Sequence, residues 1–249
     1  MLRQLGWVAA GGFGVGVVGL SLAVRLGADD LSGFAAWRHH WPFATSCRDD
    51  GAKIDPAATE RHWAWDGGDT VDIAVPATIH YRGGSGGDVI ARGSAAAIAR
   101  LRVHDGRIAS SCRGGFVRDD LDITLPGRAF RTLAMAGSDK LIMENVNQPR
   151  LDLAVAGSGS VVAQGSSERV KLSIAGAGKA QLAELTMKRL DVHIAGSGNV
   201  EAAPRDEVNV TIAGAGDVRL LSDPAQVHTN IMGSGRVIRV SGQPAARNE

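Results

Sequence analysis

Two stretches decide the fold: Ile194-Ala195-Gly196-Ser197-Gly198-Asn199-Val200 and Ile212-Ala213-Gly214-Ala215-Gly216-Asp217-Val218. Each is a run of alternating apolar residues broken by two glycines one residue apart. The first glycine of this Ala-Gly-small-Gly unit recurs at Gly157, Gly176, Gly196, Gly214 and Gly233, the last preceded by Met232 in place of Ala. A degenerate copy stands at Gly137-Ser138-Asp139, so the spacings are 20, 19, 20, 18 and 19 residues. A constant period of this size is the signature of a stacked repeat architecture.

Six, four and two residues before each glycine the side chains are apolar: Leu151, Leu153, Val155; Val170, Leu172, Ile174; Leu190, Val192, Ile194; Val208, Val210, Ile212. The residues between them are polar or small, among them Asp152, Lys171, Asp191, His193 and Asn209. A period of two is that of a strand with one buried and one solvated face. A second apolar run starts at Val161, Ala180, Val200, Val218 and Val237. Each repeat therefore reads as strand, glycine corner, second strand and variable polar loop, with Pro204 and Pro224 as breakers. The corner glycines Gly137, Gly157, Gly159, Gly176, Gly178, Gly196, Gly198, Gly214, Gly216, Gly233 and Gly235 allow positive φ or close backbone approach. Asp139, in the place of a second glycine, is a residue that tolerates left-handed geometry.

One such repeat cannot bury its apolar face, whereas stacked repeats can. The expectation is an all-β protein: a parallel β-helix or solenoid of about 19-residue repeats over 131–240, right-handed as the commoner solution. The alternation Ser158, Ala177, Ser197, Ala215, Ser234 leaves open whether one or two repeats complete a turn. An aliphatic interior also accounts for the aromatic content. Of 249 residues only Phe 5, Trp 5 and Tyr 1 are aromatic, and none follows Phe130.

Residues 47–130 read as an irregular, β-rich N-terminal part that caps the solenoid. Val71-Asp72-Ile73-Ala74-Val75-Pro76 echoes Leu121-Asp122-Ile123-Thr124-Leu125-Pro126, and Asp105-Gly106 predicts a hairpin between alternating runs at 98–103 and 107–109. Residues 25–46 read as a linker and 241–249 as a tail. From Gln4 to Val24 there is no charge, after Arg3 and before Arg25, so residues 1–24 are a cleaved signal peptide or a membrane anchor. Ser21-Leu22-Ala23 favours cleavage and the uncharged length favours a span; both readings stand. Either places the rest outside the cytoplasm, in the periplasm or cell envelope, where Cys47 and Cys112 would form a disulfide.

The corner units resemble the bacterial head GIN domain family, described as putative auto-transporter adhesins. The resemblance spans roughly residues 70–240 and is best over 131–240. It implies an exported β-solenoid with no catalytic residues to carry over. Nine residues follow Val240, too few for a translocator barrel, so a self-contained autotransporter is not expected.

The formal charge of +1 and the lack of reader motifs speak against nucleic acid. Gly83-Gly84-Ser85-Gly86-Gly87 matches GxSxG, but Asp88-Val89-Ile90-Ala91 reads as a strand where a nucleophile elbow needs a helix. No GK[ST] follows any glycine corner, and no acidic residue recurs as calcium repeats require. His39, His40, His62 and Cys47 match no zinc spacing. No metal or cofactor is expected. Trp37, Trp41, Phe43, Trp63 and Trp65 serve either an interfacial belt or the packing of the cap. The preferred function is a non-catalytic binding or scaffold module with an unknown surface ligand, protein or glycan, and membrane contact through residues 4–24 if they are not cleaved. The alternative is a β-helix lyase or hydrolase acting on polysaccharide, with Asp191 and His193 on its outward face.

Overall fold

A computed structural model describes residues 55–84, 86–111 and 121–240. The chain divides into two units, Met1–Ala44 and Thr45–Glu249, and every described residue belongs to the second. Cys47, Cys112, the tryptophans at 37 and 41, and the segment 1–24 lie outside the described residues.

The structure is 70% strand and forms a β-solenoid of about five turns. Its regular part consists of four long parallel strands: β9 (Lys140–Gly157), β10 (Ser160–Gly176), β11 (Lys179–Gly196) and β12 (Asn199–Gly214). Consecutive repeats are hydrogen-bonded neighbours. Gly157 pairs with Gly176, Gly176 with Gly196 and Gly196 with Gly214, so one repeat completes one turn. The expected polar loops are not loops. Each repeat stays extended from one glycine corner to the next and bends at register breaks, such as that between Ala163 and Gly165. Val146, Leu185 and Met187 point inward there and are buried. Pro204 sits within β12 beside such a break, where its missing N–H costs no regular ladder bond. Pro224 lies in the turn between β13 (Asp217–Leu220) and β14 (Gln226–Gly233).

The interior is made of aliphatic columns. Leu151, Val170, Leu190 and Val208 stack in register and are each 0% exposed. Full burial of such a side chain is worth roughly 1.5–3 kcal/mol, so each column is a substantial stabilising element. The two corner glycines answer to different constraints. Gly196 adopts φ +131°, and a Cβ there would come 2.3 Å from the Gly176 carbonyl oxygen. Gly198 has an ordinary φ, but its Cβ would meet the Ile174 Cγ2 methyl at 2.7 Å, so it is needed for space. The expected left-handed role for Asp139 is not realised, since the positive φ belongs to Gly137.

The N-terminal part is interwoven. Strands β2 (Thr70–Ala74) and β3 (Thr78–Arg82) form a turn that stacks on β8 (Thr132–Gly137) and the start of β9. On its other side lie β6 (Arg107–Ser110), paired with β2, and β7 (Asp122–Leu125), paired with β3. The echoed segments at 71–76 and 121–126 are thus not equivalent: Ile73 pairs with Ile108, while Ile123 pairs with Ile79. Asp105-Gly106 forms the anticipated hairpin, at φ 49° and 75°, joining β5 (Leu101–His104) to β6. The run expected as extended from residue 98 instead begins in a short helix, α1 (Ala95–Arg100), capped by the Ser94 hydroxyl. Four of its six residues are Ala, the best helix former.

Antiparallel strands close this end: β4 (Asp88–Arg92) on β7, and β1 (Glu60–Ala64) on β4. The outermost strand carries Glu60 and Arg61, charges that discourage further strand addition. Trp63 and Trp65 pack against the core of the cap, as one of the two sequence readings has it. At the opposite end β14 and β15 (Arg236–Arg239) are largely exposed, and Leu221, Ile231, Met232, Ile238 and Val240 are the large apolar side chains left open among the described residues.

Candidate functional site

A cavity of about 400 Å³ opens where the cap meets the regular turns, lined by Tyr81, Gly83, Gly84, Gly127, Ala129, Asn145 and Asn147. Three segments distant in sequence build it. Beyond β3 the chain enters Gly83-Gly84, where the Gly83 amide donates to the Glu144 carbonyl at 2.9 Å and the Gly84 amide to the Gly127 carbonyl at 2.8 Å. The Gly127 amide donates in turn to the Gly86 carbonyl at 3.1 Å. Gly83 is compelled by contact, since its Cβ would lie 2.2 Å from the Asn145 carbonyl oxygen. Asn145 itself holds φ 53°, a conformation that Asn tolerates and most residues do not. It stands where the β9–β10 register breaks, so its side chain is turned out of the regular ladder.

The floor is fixed from beneath. Tyr81 packs on Phe130 with ring centroids 5.9 Å apart, and Phe130 meets Trp65 edge to face at 5.2 Å. The Tyr81 hydroxyl donates to the Arg128 carbonyl at 3.1 Å, and burial raises its pKa above the ordinary tyrosine value. The buried Gln148 amide donates to the Phe130 and Arg150 carbonyls at 2.7 and 2.9 Å, pinning that segment. Arg82 and Glu144 at the rim form an ion pair, with Nε 2.8 Å from the carboxylate. Asn145 and Asn147 are exposed, and their carboxamides make no hydrogen bond among the described residues. Sequence reasoning missed this site, although Gly83-Gly84 was singled out there for its GxSxG pattern. The strand β4 follows that pattern, so the geometry is a glycine corner and not a nucleophile elbow.

The outward column expected to carry any carbohydrate chemistry is in register: Asp152, Lys171, Asp191, Asn209 and His228 lie on successive strands. Its carboxylates are engaged by neighbours. Arg150 Nε lies 3.0 Å from Asp152, with Arg131 at 3.9 Å. The Asn209 carboxamide donates to Asp191 at 2.8 Å and to Glu207 at 3.2 Å. His193 pairs in register with Ser173 and Thr211 and, like Lys171, has interactions of its own. This is a solvated ladder of polar contacts, each contributing little to stability.

Two titratable groupings arise from the fold alone. Asp139 is 1% exposed, and neither carboxylate oxygen has a partner at hydrogen-bonding geometry. Burial pushes its pKa up to about 7, against a smaller opposing effect of the Ala77 amide. Asp66, His104 and Asp105 bring ligand atoms within 4.8 Å of one another, all three exposed. His104 Nδ1 lies 2.7 Å from Asp66, whose carboxyl is held below its usual range by the Asp105 amide first and by His104 in addition. Of the histidines weighed for metal, His62 pairs with Glu60 at 2.8 Å, while His39, His40 and Cys47 lie outside the described residues.

A parallel solenoid with glycine corners, an antiparallel cap and a polar notch at the seam defines the β-solenoid class of protein. Residues 118–224 match the family described as "Putative auto-transporter adhesin, head GIN domain", and the resemblance seen in the corner repeats is borne out. Among solved structures, a putative adhesin from Bacteroides fragilis is similar at TM-score 0.57 and 16% identity, over 73% of this chain and 96% of that one. That likeness is one of fold. A putative lipid binding protein from Parabacteroides distasonis (16% identity, TM-score 0.43) and a putative adhesin from Parabacteroides merdae (14%, 0.44) each align over 73% of this chain and 96% and 95% of theirs. No curated protein matches the chain. Among the described residues, no helix is long and apolar enough to cross a membrane.

Proposed function

We propose that the protein is an exported, non-catalytic β-solenoid that binds or scaffolds a ligand in the cell envelope. The observation that carries this reading is the notch at the seam. It offers hydrogen-bonding side chains not spent on the fold, set on a backbone fixed on every side. Head GIN kinship supports the same role. In this reading residues 1–24 direct export or anchor the chain, 25–46 link, 47–130 form the cap and 131–240 the repeats. Cys47 and Cys112 pair in the oxidising compartment. The corner glycines serve structure alone.

The test is an affinity screen of the purified full chain against glycan arrays and fractionated envelope extracts, with cell fractionation alongside. A saturable ligand together with recovery in the envelope fraction supports the proposal. Recovery in the cytoplasm with reduced cysteines refutes the exported part. Turnover of a polysaccharide that Asp191→Asn or His193→Ala abolishes would establish the enzyme alternative in its place.

A further inference from the structure

Resting on that binding reading, we infer that the notch between Gly83-Gly84, 127–129 and β9 takes an uncharged, hydroxyl-rich ligand: the end or a short stretch of a neutral glycan. The donor set points to this class. Asn145 and Asn147 each present an amide donor and a carbonyl acceptor side by side, which is what a pair of vicinal hydroxyls satisfies. The Tyr81 hydroxyl donates to Arg128 and keeps its lone pairs for accepting from a third hydroxyl. None of the seven lining residues is charged. At the rim, Arg82 and Glu144 neutralise each other. An anionic ligand would therefore find no dedicated counter-charge in the lining.

The same geometry argues against a peptide strand. Strand addition needs free backbone groups in a row. Here the Gly83, Gly84 and Gly127 amides are all committed within the protein. Side-chain-free glycines let a sugar ring come close to the backbone, and about 400 Å³ lies within the usual range of small-ligand sites, roughly 300–1,000 Å³. The left-handed Asn145 adds a further sign, since non-glycine residues held in that region cluster at functional sites.

The experiment is isothermal titration and saturation-transfer NMR on the full chain with maltotriose, chitotriose, trigalacturonate and a glycine-rich tripeptide as probes. The variants are Asn147→Ala and Asn145→Gly, the latter keeping the positive φ without strain, with Asn199→Ala as a distant control. Binding of a neutral trisaccharide, weakened at least tenfold by both notch variants and unchanged by the control, at unchanged melting temperature, is the expected result. Binding only of trigalacturonate or the tripeptide overturns the ligand class. A neutral glycan that binds equally well to both notch variants overturns the site while leaving the broader binding reading intact. Failure of every glycan and every envelope fraction to bind removes both.

Discussion

Asp139 offers the sharpest test of the physical picture, through the change Asp139→Asn. The carboxyl is buried without a full partner, and its pKa rises from 3.8 to about 7 on folding. The group therefore favours the folded state most at low pH. That favour is lost as pH rises from about 4 through 7, and above pH 7 a charge must be kept inside. At about 1.4 kcal/mol per unit, the cost at pH 8 is on the order of 4 kcal/mol, against about 1 at pH 4.5. Asparagine removes the charge but still buries an amide without partners, at about 1–3 kcal/mol. The variant should thus be more stable than the parent by roughly 1–3 kcal/mol at pH 8 and no more stable at pH 4.5. Urea unfolding followed by far-UV circular dichroism at the two pH values reads the difference directly. A pH-dependent gap of about 3 kcal/mol corresponds to a relative midpoint shift of about 1–3 M. If the gap between variant and parent is the same at both pH values, the buried-charge account is wrong.

Other perturbations follow from the same geometry. Gly196→Ala places a Cβ 2.3 Å from the Gly176 carbonyl at φ +131° and should cost at least about 2–3 kcal/mol, whereas the adjacent Ser197→Ala should change the melting temperature little. Leu190→Ala empties one level of a fully buried column and should cost about 2–5 kcal/mol in denaturant titration, the cavity left being hard to close in a stacked interior. Lys188→Ala breaks the 3.0 Å contact with Glu168, yet both side chains are exposed, so a loss above about 1 kcal/mol would contradict the surface-ladder reading.

Much of the solenoid was legible because its signals are local. Val192 and Ile194 alternate with Asp191 and His193 over a few residues, and the glycine column repeats within twenty. The rest hid for identifiable reasons. Residues such as Val146 and Leu185 follow bulges, and each bulge shifts the inward phase by one, so regular extended chain reads as polar loop. The helix Ala95–Arg100 was masked by Leu101 and Val103, whose alternation belongs to the strand that follows it, although the alanines carried the contrary propensity. Ile73 and Ile123 share a pattern but not a place, because register across the cap is decided by partners about 35 and 44 residues away. The notch had no contiguous signal. Its strongest clue, an Asn in a left-handed bend beside a glycine with no room for a side chain, exists only when residues 83 and 145 are already in contact.

The placement of β2 and β3 between β6–β7 and β8–β9 has a consequence for how the molecule is made. A solenoid whose turns stack in chain order can grow like a coil laid on a coil, each new turn closing a loop of about twenty residues on the one before. Here the first turn to emerge must wait, both edges open, for one neighbour about 35 residues later and another about 60 residues later. Such long closures slow folding more than they weaken the product. During synthesis, residues 70–82 are the segment most in need of shielding from other chains. The repeat half has no such delay once Gly157 is in place. Assembly should run from the seam toward the C-terminal turns, with the cap setting the pace.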